Sequence, residues 1–137
     1  MFKIIDLNHI NVVVKDVETS KRFYCEVLGM EDVARHPSFT FPGAWLRANS
    51  AEIHLVQQDY ATHAPGDLSY LVADKTDKEL SFSRHFSLVI DDTDQLVEQL
   101  VKYKIPIAYG PVERLGGLVQ TYCYDPDGHL IEFTQFP

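Results

Sequence analysis

The sequence predicts an α+β fold built from two tandem βαβββ modules, and two internal repeats carry this prediction. Segment 9–16 resembles segment 85–92, since each begins with His and ends with Asp seven residues later, at an offset of 76 residues. Segment 53–57 likewise matches segment 131–135 at an offset of 78 residues. Self-similarity at a nearly constant spacing indicates that one supersecondary unit occurs twice. We therefore expect two copies of this unit within one structural domain.

Alternating hydrophobicity identifies the opening strand of each module. The even-numbered positions between the His and the Asp are all apolar, namely Ile10, Val12, Val14, Phe86, Leu88 and Ile90. A period of two is typical of a strand that has one face in a core. With the later strand-like runs included, strands are expected over 7–15, 31–35, 42–48, 51–58, 84–91, 107–113, 118–124 and 129–136.

A helix is expected after each opening strand. Asp16 can cap a helix over 17–29 that ends at Gly29, and Asp92 with a Gln three residues later resembles a capping box for a helix over 93–104. Apolar residues at i, i+4 spacing predict the buried stripe of each helix. These residues are Phe23, Tyr24, Val27 and Leu28 in the first helix, and Leu96, Val97, Leu100 and Val101 in the second.

The predicted organisation is a first module over 1–58, a connecting segment over 59–83 and a second module over 84–137. The connecting segment is rich in Asp, Thr, Ser, Ala and Lys. It is long for a connection inside a compact domain, which leaves room for a short extra strand at 69–73.

Composition and charge exclude several classes of function. The chain has 137 residues, of which 45% are hydrophobic, and its net charge is −8 at pH 7. This acidic balance, without a Lys/Arg cluster, argues against nucleic acid or an anionic membrane surface as a partner. The apolar runs are too short to span a bilayer and the start of the chain lacks signal-peptide features, which predicts a cytoplasmic protein. Cys25 and Cys123 are expected to be small buried residues rather than disulfide partners.

Four residues of metal-ligand type occupy equivalent positions in the two modules. His9 and His85 open the first strand of each copy, and His54 and Glu132 are matched in the closing strands. By alternation all four point away from the face that packs under the helices. A lone strand His is usually not a ligand, but two matched pairs of imidazole and carboxylate groups favour a shared metal site.

The donor set restricts the metal and its chemistry. Three imidazoles and one carboxylate accept a divalent transition metal such as Ni²⁺, Co²⁺, Zn²⁺, Mn²⁺ or Fe²⁺, and the sequence does not choose among them. Four protein ligands on an octahedral ion would leave two positions for a chelating substrate, which suits Lewis-acid catalysis. The remaining histidines, His36, His63 and His129, are expected to lie outside this site.

The motifs that carry these residues resemble those of the vicinal oxygen chelate superfamily, which includes glyoxalase I, fosfomycin-resistance proteins, extradiol dioxygenases and bleomycin-resistance proteins. The segments concerned are 7–10, 23–30, 43–46, 53–55 and 124–133, and the last of them contains the specific Asp-Pro-Asp-Gly and Ile-Glu-Phe motifs. The resemblance, closest to glyoxalase-like members, implies curled mixed sheets with a metal between the modules, a small-molecule substrate and a homodimer. It places the ligands at His9, His54, His85 and Glu132.

The resemblance implies a metal-dependent lyase or isomerase in which Glu132 alternates between ligand and base. Two departures argue against glutathione as a substrate component: glyoxalase I usually has Glu at the position of His54, and it has Arg where this chain has Val13. Tyr122 has the spacing from Glu132 at which extradiol dioxygenases place an active-site tyrosine, and it is the second candidate catalytic residue. The candidate substrate-binding residues are Asn11, Trp45, Arg47 and Tyr124.

Three alternative functions stay open at this point. They are an Fe²⁺-dependent dioxygenase of the extradiol type, a thiol transferase of the fosfomycin-resistance type, and a non-catalytic protein that binds a drug or metabolite. Also open is whether the metal site lies within one chain or is shared across a dimer.

Overall fold

The computed structural model describes residues 1, 3–59 and 84–137. These residues follow the order βαβββ twice. The strands are β1 (Ile10–Val14), β2 (Glu31–Val33), β3 (Gly43–Ala48), β4 (Ala51–Gln57), β5 (Phe86–Val89), β6 (Ile107–Glu113), β7 (Val119–Tyr124) and β8 (Leu130–Gln135). The helices are α1 (Val17–Lys21), continued by a π-helical segment (Arg22–Val27), then α2 (Thr93–Lys102) and a 3-10 turn (Leu115–Gly117). The predicted α+β class and the duplicated unit are confirmed.

The chain divides into two compact units, Met1–His63 and Ala64–Pro137. The first contains a four-stranded sheet in the order β1-β4-β3-β2, and the second contains a sheet in the order β5-β8-β7-β6. In each sheet the opening strand is parallel to the closing strand, and the other neighbours are antiparallel. The predicted connecting segment lies outside the described residues except for Asp59, as does the suggested strand at 69–73. Its boundaries therefore stay predictions.

The opening strands are shorter than predicted, and this defines where the two histidines lie. The ladder of β1 begins at Ile10, opposite Ile53, and that of β5 begins at Phe86, opposite Ile131. The backbone pairing of each ladder starts at those residues. His9 and His85 therefore stand one residue before their strands, at the edge of each ladder.

The first helix is one continuous helical segment, but its second half is wider than the predicted α-helix. Asp16 caps it as expected, with the Thr19 amide donating to the carboxylate at 2.8 Å. From Arg22 onward the segment is π-helical, with hydrogen bonds that span five residues instead of four, as in the bond from the Leu28 amide to the Phe23 carbonyl. Gly29 ends the segment with a φ of 73°, a conformation that glycine adopts without strain. The wider turn leaves the Phe23 and Tyr24 side chains both buried.

The second helix has a narrower buried stripe than predicted. Asp92 accepts from the Gln95 amide at 2.9 Å, and the Gln95 side chain donates to the same carboxylate. Leu100 is fully buried, but Val101 is 66% exposed, so its predicted burial is wrong. Successive helical residues differ by about 100° in direction, which turns Val101 toward solvent when Leu100 faces the core.

One side-chain contact repeats in both units and ties each helix to its closing strand. The side chain of Gln57 on β4 accepts from the Val17 amide at 3.4 Å, and that of Gln135 on β8 accepts from the Thr93 amide at 2.7 Å. Amides in the first turn of a helix have no partner within the helix itself. The matched glutamines satisfy one of these donors in each copy.

The core of the first unit lies on the helix side of its sheet, whereas in the second unit both faces of β7 and β8 carry buried residues. In β4, Ile53 and Leu55 are 2% and 1% exposed, whereas the intervening His54 is on the opposite face. Helix α1 packs on β3 and β4. Among the described residues no helix is long and apolar enough to cross a membrane.

The two cysteines are free thiols with different burial. Cys123 is buried as predicted, whereas Cys25 is only partly buried, so that part of the prediction needs correction. Burial raises the pKa of Cys123 to about 12 and, to a smaller extent, raises the pKa of Cys25. Only the thiolate reacts readily with alkylating reagents.

Iodoacetamide at pH 8 should therefore modify Cys25 slowly and leave Cys123 unmodified in the native protein. At a pKa of about 12, the Cys123 thiolate fraction at pH 8 is roughly one ten-thousandth, and the buried sulfur is also shielded from the reagent. Intact mass measured over time should show one adduct natively and two in 6 M guanidinium. Equal rates for both cysteines in the native protein would contradict the burial of Cys123.

Candidate functional site

The first pair of predicted ligands meets on the open face of the first sheet. The rings of His9 and His54 are stacked, with centroids 3.8 Å apart and planes inclined by 16°. On its other side His54 stacks on Trp45, at 4.4 Å and 5°. This arrangement follows from strand register, because Trp45 pairs with His54 across the β3–β4 hairpin. His54 is thus held between two rings, and its ring orientation is restricted.

A carboxylate outside the predicted set also contacts His54. Glu52 Oε1 lies 2.9 Å from His54 Nε2, and Glu52 Oε2 accepts from Arg47 Nη2 at 3.2 Å. Hydrogen bonding to His54, and then the Arg47 guanidinium, lower the pKa of Glu52. Arg47, predicted as a substrate contact, is therefore already paired with a neighbouring carboxylate.

The sequence contained a signal that could have identified Glu52. Only residues 49 and 50 separate β3 from β4, and a two-residue hairpin turn fixes the pairing of both strands. Counting outward from the turn places Arg47 opposite Glu52 and Trp45 opposite His54, as observed. Alternation within each strand does not reveal this contact, whereas the register between the two strands does.

The second pair of predicted ligands meets in the second sheet. His85 Nε2 lies 2.9 Å from Glu132 Oε2, and Glu132 is only 7% exposed. Phe86 pairs with Ile131 and Ser87 pairs with Glu132. His85, one residue before β5, can therefore reach the Glu132 carboxylate. An imidazole and a carboxylate from the opening and closing strands are thus in direct contact.

Three further side chains surround the Glu132 carboxylate. Gln120 Nε2 and Thr134 Oγ1 each donate to Glu132 Oε1 at 2.7 Å, and the Tyr122 hydroxyl is also hydrogen-bonded to the carboxyl group. Burial by itself raises the pKa of Glu132, but these hydrogen bonds and the charge of His85 outweigh it, and the pKa is below its ordinary value. Glu132 is therefore a carboxylate near neutral pH, which is the form that binds a cation.

The hydrogen bonds continue outward from the donors. Gln120 Oε1 accepts from Arg114 Nε at 2.8 Å, which fixes the orientation of the Gln120 amide with its NH₂ group toward Glu132. Thr134 Oγ1 lies 2.9 Å from Ser87 Oγ. None of these residues was predicted, because Gln, Thr and Ser in strands carry no distinctive pattern before the register is known.

The other predicted residues have the following places. Asn11 is exposed and pairs with His54 in the β1–β4 ladder. Tyr122 is 1% exposed and lies opposite Glu132. Tyr124 is 9% exposed and packs with Leu130 in a hydrophobic cluster. Their contacts with a substrate stay predictions.

The histidines that were predicted to lie outside the site are in loops where they are described. His36 is exposed, in the loop between β2 and β3, and the His129 amide donates to Asp125 Oδ1 in the turn before β8. His63 lies outside the described residues. His36 contacts Ser38 and Phe39 in its own loop, and the placement of His129 outside the site stays a prediction.

The predicted metal ligands occur as one pair in each unit. Within residues 1, 3–59 and 84–137, no group of three or more His, Cys, Asp or Glu side chains forms a cluster that could hold a metal ion. The chemistry of each pair nevertheless fits a divalent transition metal, since imidazole nitrogen and ionised carboxylate oxygen are its usual ligands. The quartet as one site therefore stays a prediction.

A duplicated βαβββ unit with a His-based pair in each copy defines a recognisable class of protein. The family described as the glyoxalase/bleomycin resistance protein/dioxygenase superfamily matches residues 6–133. The chain belongs to this superfamily, as its motifs indicated. Members typically use a divalent metal, bind small-molecule substrates and often form dimers.

Individual relatives agree with this assignment. Glyoxylase I 4 of Arabidopsis thaliana is 30% identical over 127 residues, covering 92% of this chain and 68% of the relative. A virulence protein of Salmonella typhimurium is 31% identical over 141 residues, covering 95% of this chain and 83% of the relative. The crystal structure of a putative glyoxalase family protein from Bacillus anthracis superimposes with a TM-score of 0.75 at 21% identity, covering 100% of this chain and 99% of that one. The glyoxalase-like fold with two open, curled sheets is thereby confirmed.

Proposed function

We propose that this chain is a metal-dependent lyase or isomerase that acts on a small oxygenated compound able to chelate the metal. One observation carries the proposal: in each unit the parallel pairing of the opening and closing strands brings two ligand-type side chains together. His9 meets His54 in the first unit, and His85 meets Glu132 in the second. A metal site that uses ligands from both copies would require such a pair in each of them.

The four side chains would hold one divalent ion, whose identity among Ni²⁺, Co²⁺, Zn²⁺, Mn²⁺ and Fe²⁺ the donor set leaves open. When bound, such an ion supplies Lewis-acid polarisation of two neighbouring substrate oxygens. His54 has its ring plane restricted by Trp45 and His9, and Glu132 has one oxygen fixed by two donors. Restricting ligand orientation in this way is how surrounding residues tune a metal site.

Glu132 is the proposed acid–base group as well as a ligand. Its Oε1 accepts hydrogen bonds from both Gln120 and Thr134, so Oε2, which contacts His85, is the atom that would take a proton from the substrate. The Tyr122 hydroxyl bonds to the same carboxyl group and acts through it, as a positioning residue. The proposed substrate contacts are Asn11, Trp45 and Arg47 on the face of the first sheet that carries His54, and Tyr124 in the second.

A dioxygenase that uses Fe²⁺ is the second candidate, because the Tyr122 hydroxyl lies against Glu132. In this alternative Tyr122 would be the acid–base group. The identity of the bound metal separates the two candidates: iron favours the dioxygenase, and nickel, cobalt or zinc favours the lyase or isomerase.

Metal analysis of protein purified without chelators tests the proposal. Wild-type protein should contain about one divalent ion per chain, and His85→Ala should lose it, because the imidazole nitrogen next to Glu132 is removed. His36→Ala is the matched control, since His36 is an exposed histidine that contacts Ser38 and Phe39 but neither pair. Inductively coupled plasma mass spectrometry gives both the stoichiometry and the metal. Wild-type protein without stoichiometric metal, even after incubation with each of the five ions, would contradict the proposal.

A further inference from the structure

An exposed group of aromatic rings extends outward from His54. Trp45 stacks on His54, and the ring of Phe39 lies 5.3 Å from that of Trp45 and 5.9 Å from that of Phe41. Phe39 and Phe41 are 41% and 45% exposed. We call Phe39, Phe41 and Trp45 the aromatic group. Phenylalanine rings left this exposed next to one another are typical of a binding surface.

The loop that carries the two phenylalanines is held by its own hydrogen bonds. The Phe39 amide donates to the His36 carbonyl at 3.0 Å, which closes a turn. Within that turn the Ser38 amide and hydroxyl lie 3.2 and 2.8 Å from His36 Nδ1. The rings are therefore presented on an organised turn, and less conformational freedom is lost when a ligand binds.

One cation lies beside the aromatic group without a carboxylate. The Arg35 guanidinium lies over the Phe41 ring, 5.3 Å from its centroid. Its Nη1 is buried and has no hydrogen-bond partner, and no ion pair joins Arg35 to any residue in the described parts of the chain. Arg47, by contrast, is paired with Glu52. Because the described residues offer this guanidinium no carboxylate, its charge can pair with that of a bound anion.

The strand beside Arg35 leaves room for this arrangement. A Cβ at Gly43 would lie 3.0 Å from Arg35 Nη1 and would also collide with the Leu55 carbonyl oxygen. Glycine at this position therefore permits both the close pairing of β3 with β4 and the approach of the guanidinium. The cation is held against the sheet next to the aromatic group.

We infer that the aromatic group and Arg35 form a binding site for a small anionic aromatic compound, whose ring stacks on Phe39, perpendicular to the Phe41 ring, and whose carboxylate binds the Arg35 guanidinium. The geometry suits such a ligand because the Arg35 guanidinium lies over the Phe41 ring, which in turn contacts Phe39. An aliphatic anion would lack the stacking, and a neutral ring would leave the guanidinium unpaired. The inference rests on the proposed function only in naming this compound as the class of substrate for the neighbouring His9 and His54 pair.

Binding of 4-nitrobenzoate to chelator-treated full-length protein tests the inference. Trp45 is the single tryptophan of the chain, so quenching of its emission reports on this site directly. We expect saturable quenching by 4-nitrobenzoate, with 4-nitrobenzamide, which has the same ring without the charge, binding roughly 10-fold more weakly. Cyclohexanecarboxylate should displace the probe only at much higher concentration, because it cannot stack.

Two variants separate the charge from the rings. Arg35→Gln should weaken 4-nitrobenzoate about 10-fold and leave 4-nitrobenzamide unchanged, whereas Phe39→Leu should weaken both about 3-fold. The matched controls are Arg22→Gln, at an exposed helix position, and Phe136→Leu, at a 60% exposed phenylalanine; neither should change the quenching. Thermal melts confirm that each variant is folded.

Equal binding of the acid and the amide, or an unchanged affinity in Arg35→Gln, would overturn the inference. Because the titration is done without metal, its result is independent of the metal analysis above. Protein that binds the probe but no metal would refute the proposed function alone. Protein that binds metal but not the probe would refute this inference alone.

Discussion

Glu132→Gln should raise the dissociation constant for the metal by roughly 100-fold or more, with little change in the fold. The amide keeps the shape of the side chain and can still accept at the position of Oε1 from Gln120 and Thr134. It loses the negative charge that faces His85 and that a divalent ion needs. Mutation of residues that only orient ligands costs 10- to 100-fold in metal affinity, so removal of a ligand charge should cost at least as much. Competition with a chromogenic chelator measures the constant.

A pair of threonine variants provides a graded control for this prediction. Thr134→Val removes one of the two donors to Glu132 Oε1 and should weaken metal binding about 10-fold. Thr121→Val makes the same substitution at a fully buried threonine of β7, whose hydroxyl has no hydrogen-bond partner, and should leave metal affinity unchanged. If Glu132→Gln and Thr121→Val bind metal equally well, Glu132 is not a ligand.

The fold could be predicted from the sequence because its signals are local or repeated. Alternation in 9–16 and 85–92, the Asp caps and the offsets between the copies each depend on residues close together in the chain. The predicted class, the order of the elements and the superfamily are confirmed. The errors lie at element ends and in the helices, where hydrogen bonding and packing, rather than sequence periodicity, decide the outcome. The widened turn after Lys21 and the exposed Val101 are examples.

The candidate site could be predicted only in part, since alternation shows which residues share a face of one strand. It placed His54 opposite the core and Tyr122 on the face of Glu132, as the register has them. It could not reveal that Gln120 and Thr134 fix the carboxylate, because those contacts depend on pairing between strands. The aromatic group and Arg35 lie in the loop before β3 and in β3 itself. A loop has no hydrophobic periodicity, so the sequence pattern does not predict which of its side chains are in contact.

Adjacent residues of β4 should give opposite results when each is truncated, because they lie on opposite faces of one sheet. Leu55→Ala should lower the free energy of unfolding by about 2 to 5 kcal/mol, since it removes a side chain that is 1% exposed and leaves a cavity. The folded variant should keep its metal. His54→Ala should cost about 1 kcal/mol through lost ring stacking on Trp45 and His9, but should lose most of its metal affinity.

Urea unfolding followed by Trp45 emission measures the free energy of unfolding. Chelator competition, at one temperature at which both variants are folded, measures the metal affinity. A folded Leu55→Ala protein that loses metal as completely as His54→Ala would mean that the metal does not depend on the open face of the sheet. A His54→Ala protein destabilised more than Leu55→Ala would mean that His54 serves the core, and the first half of the proposed metal site would have to be abandoned.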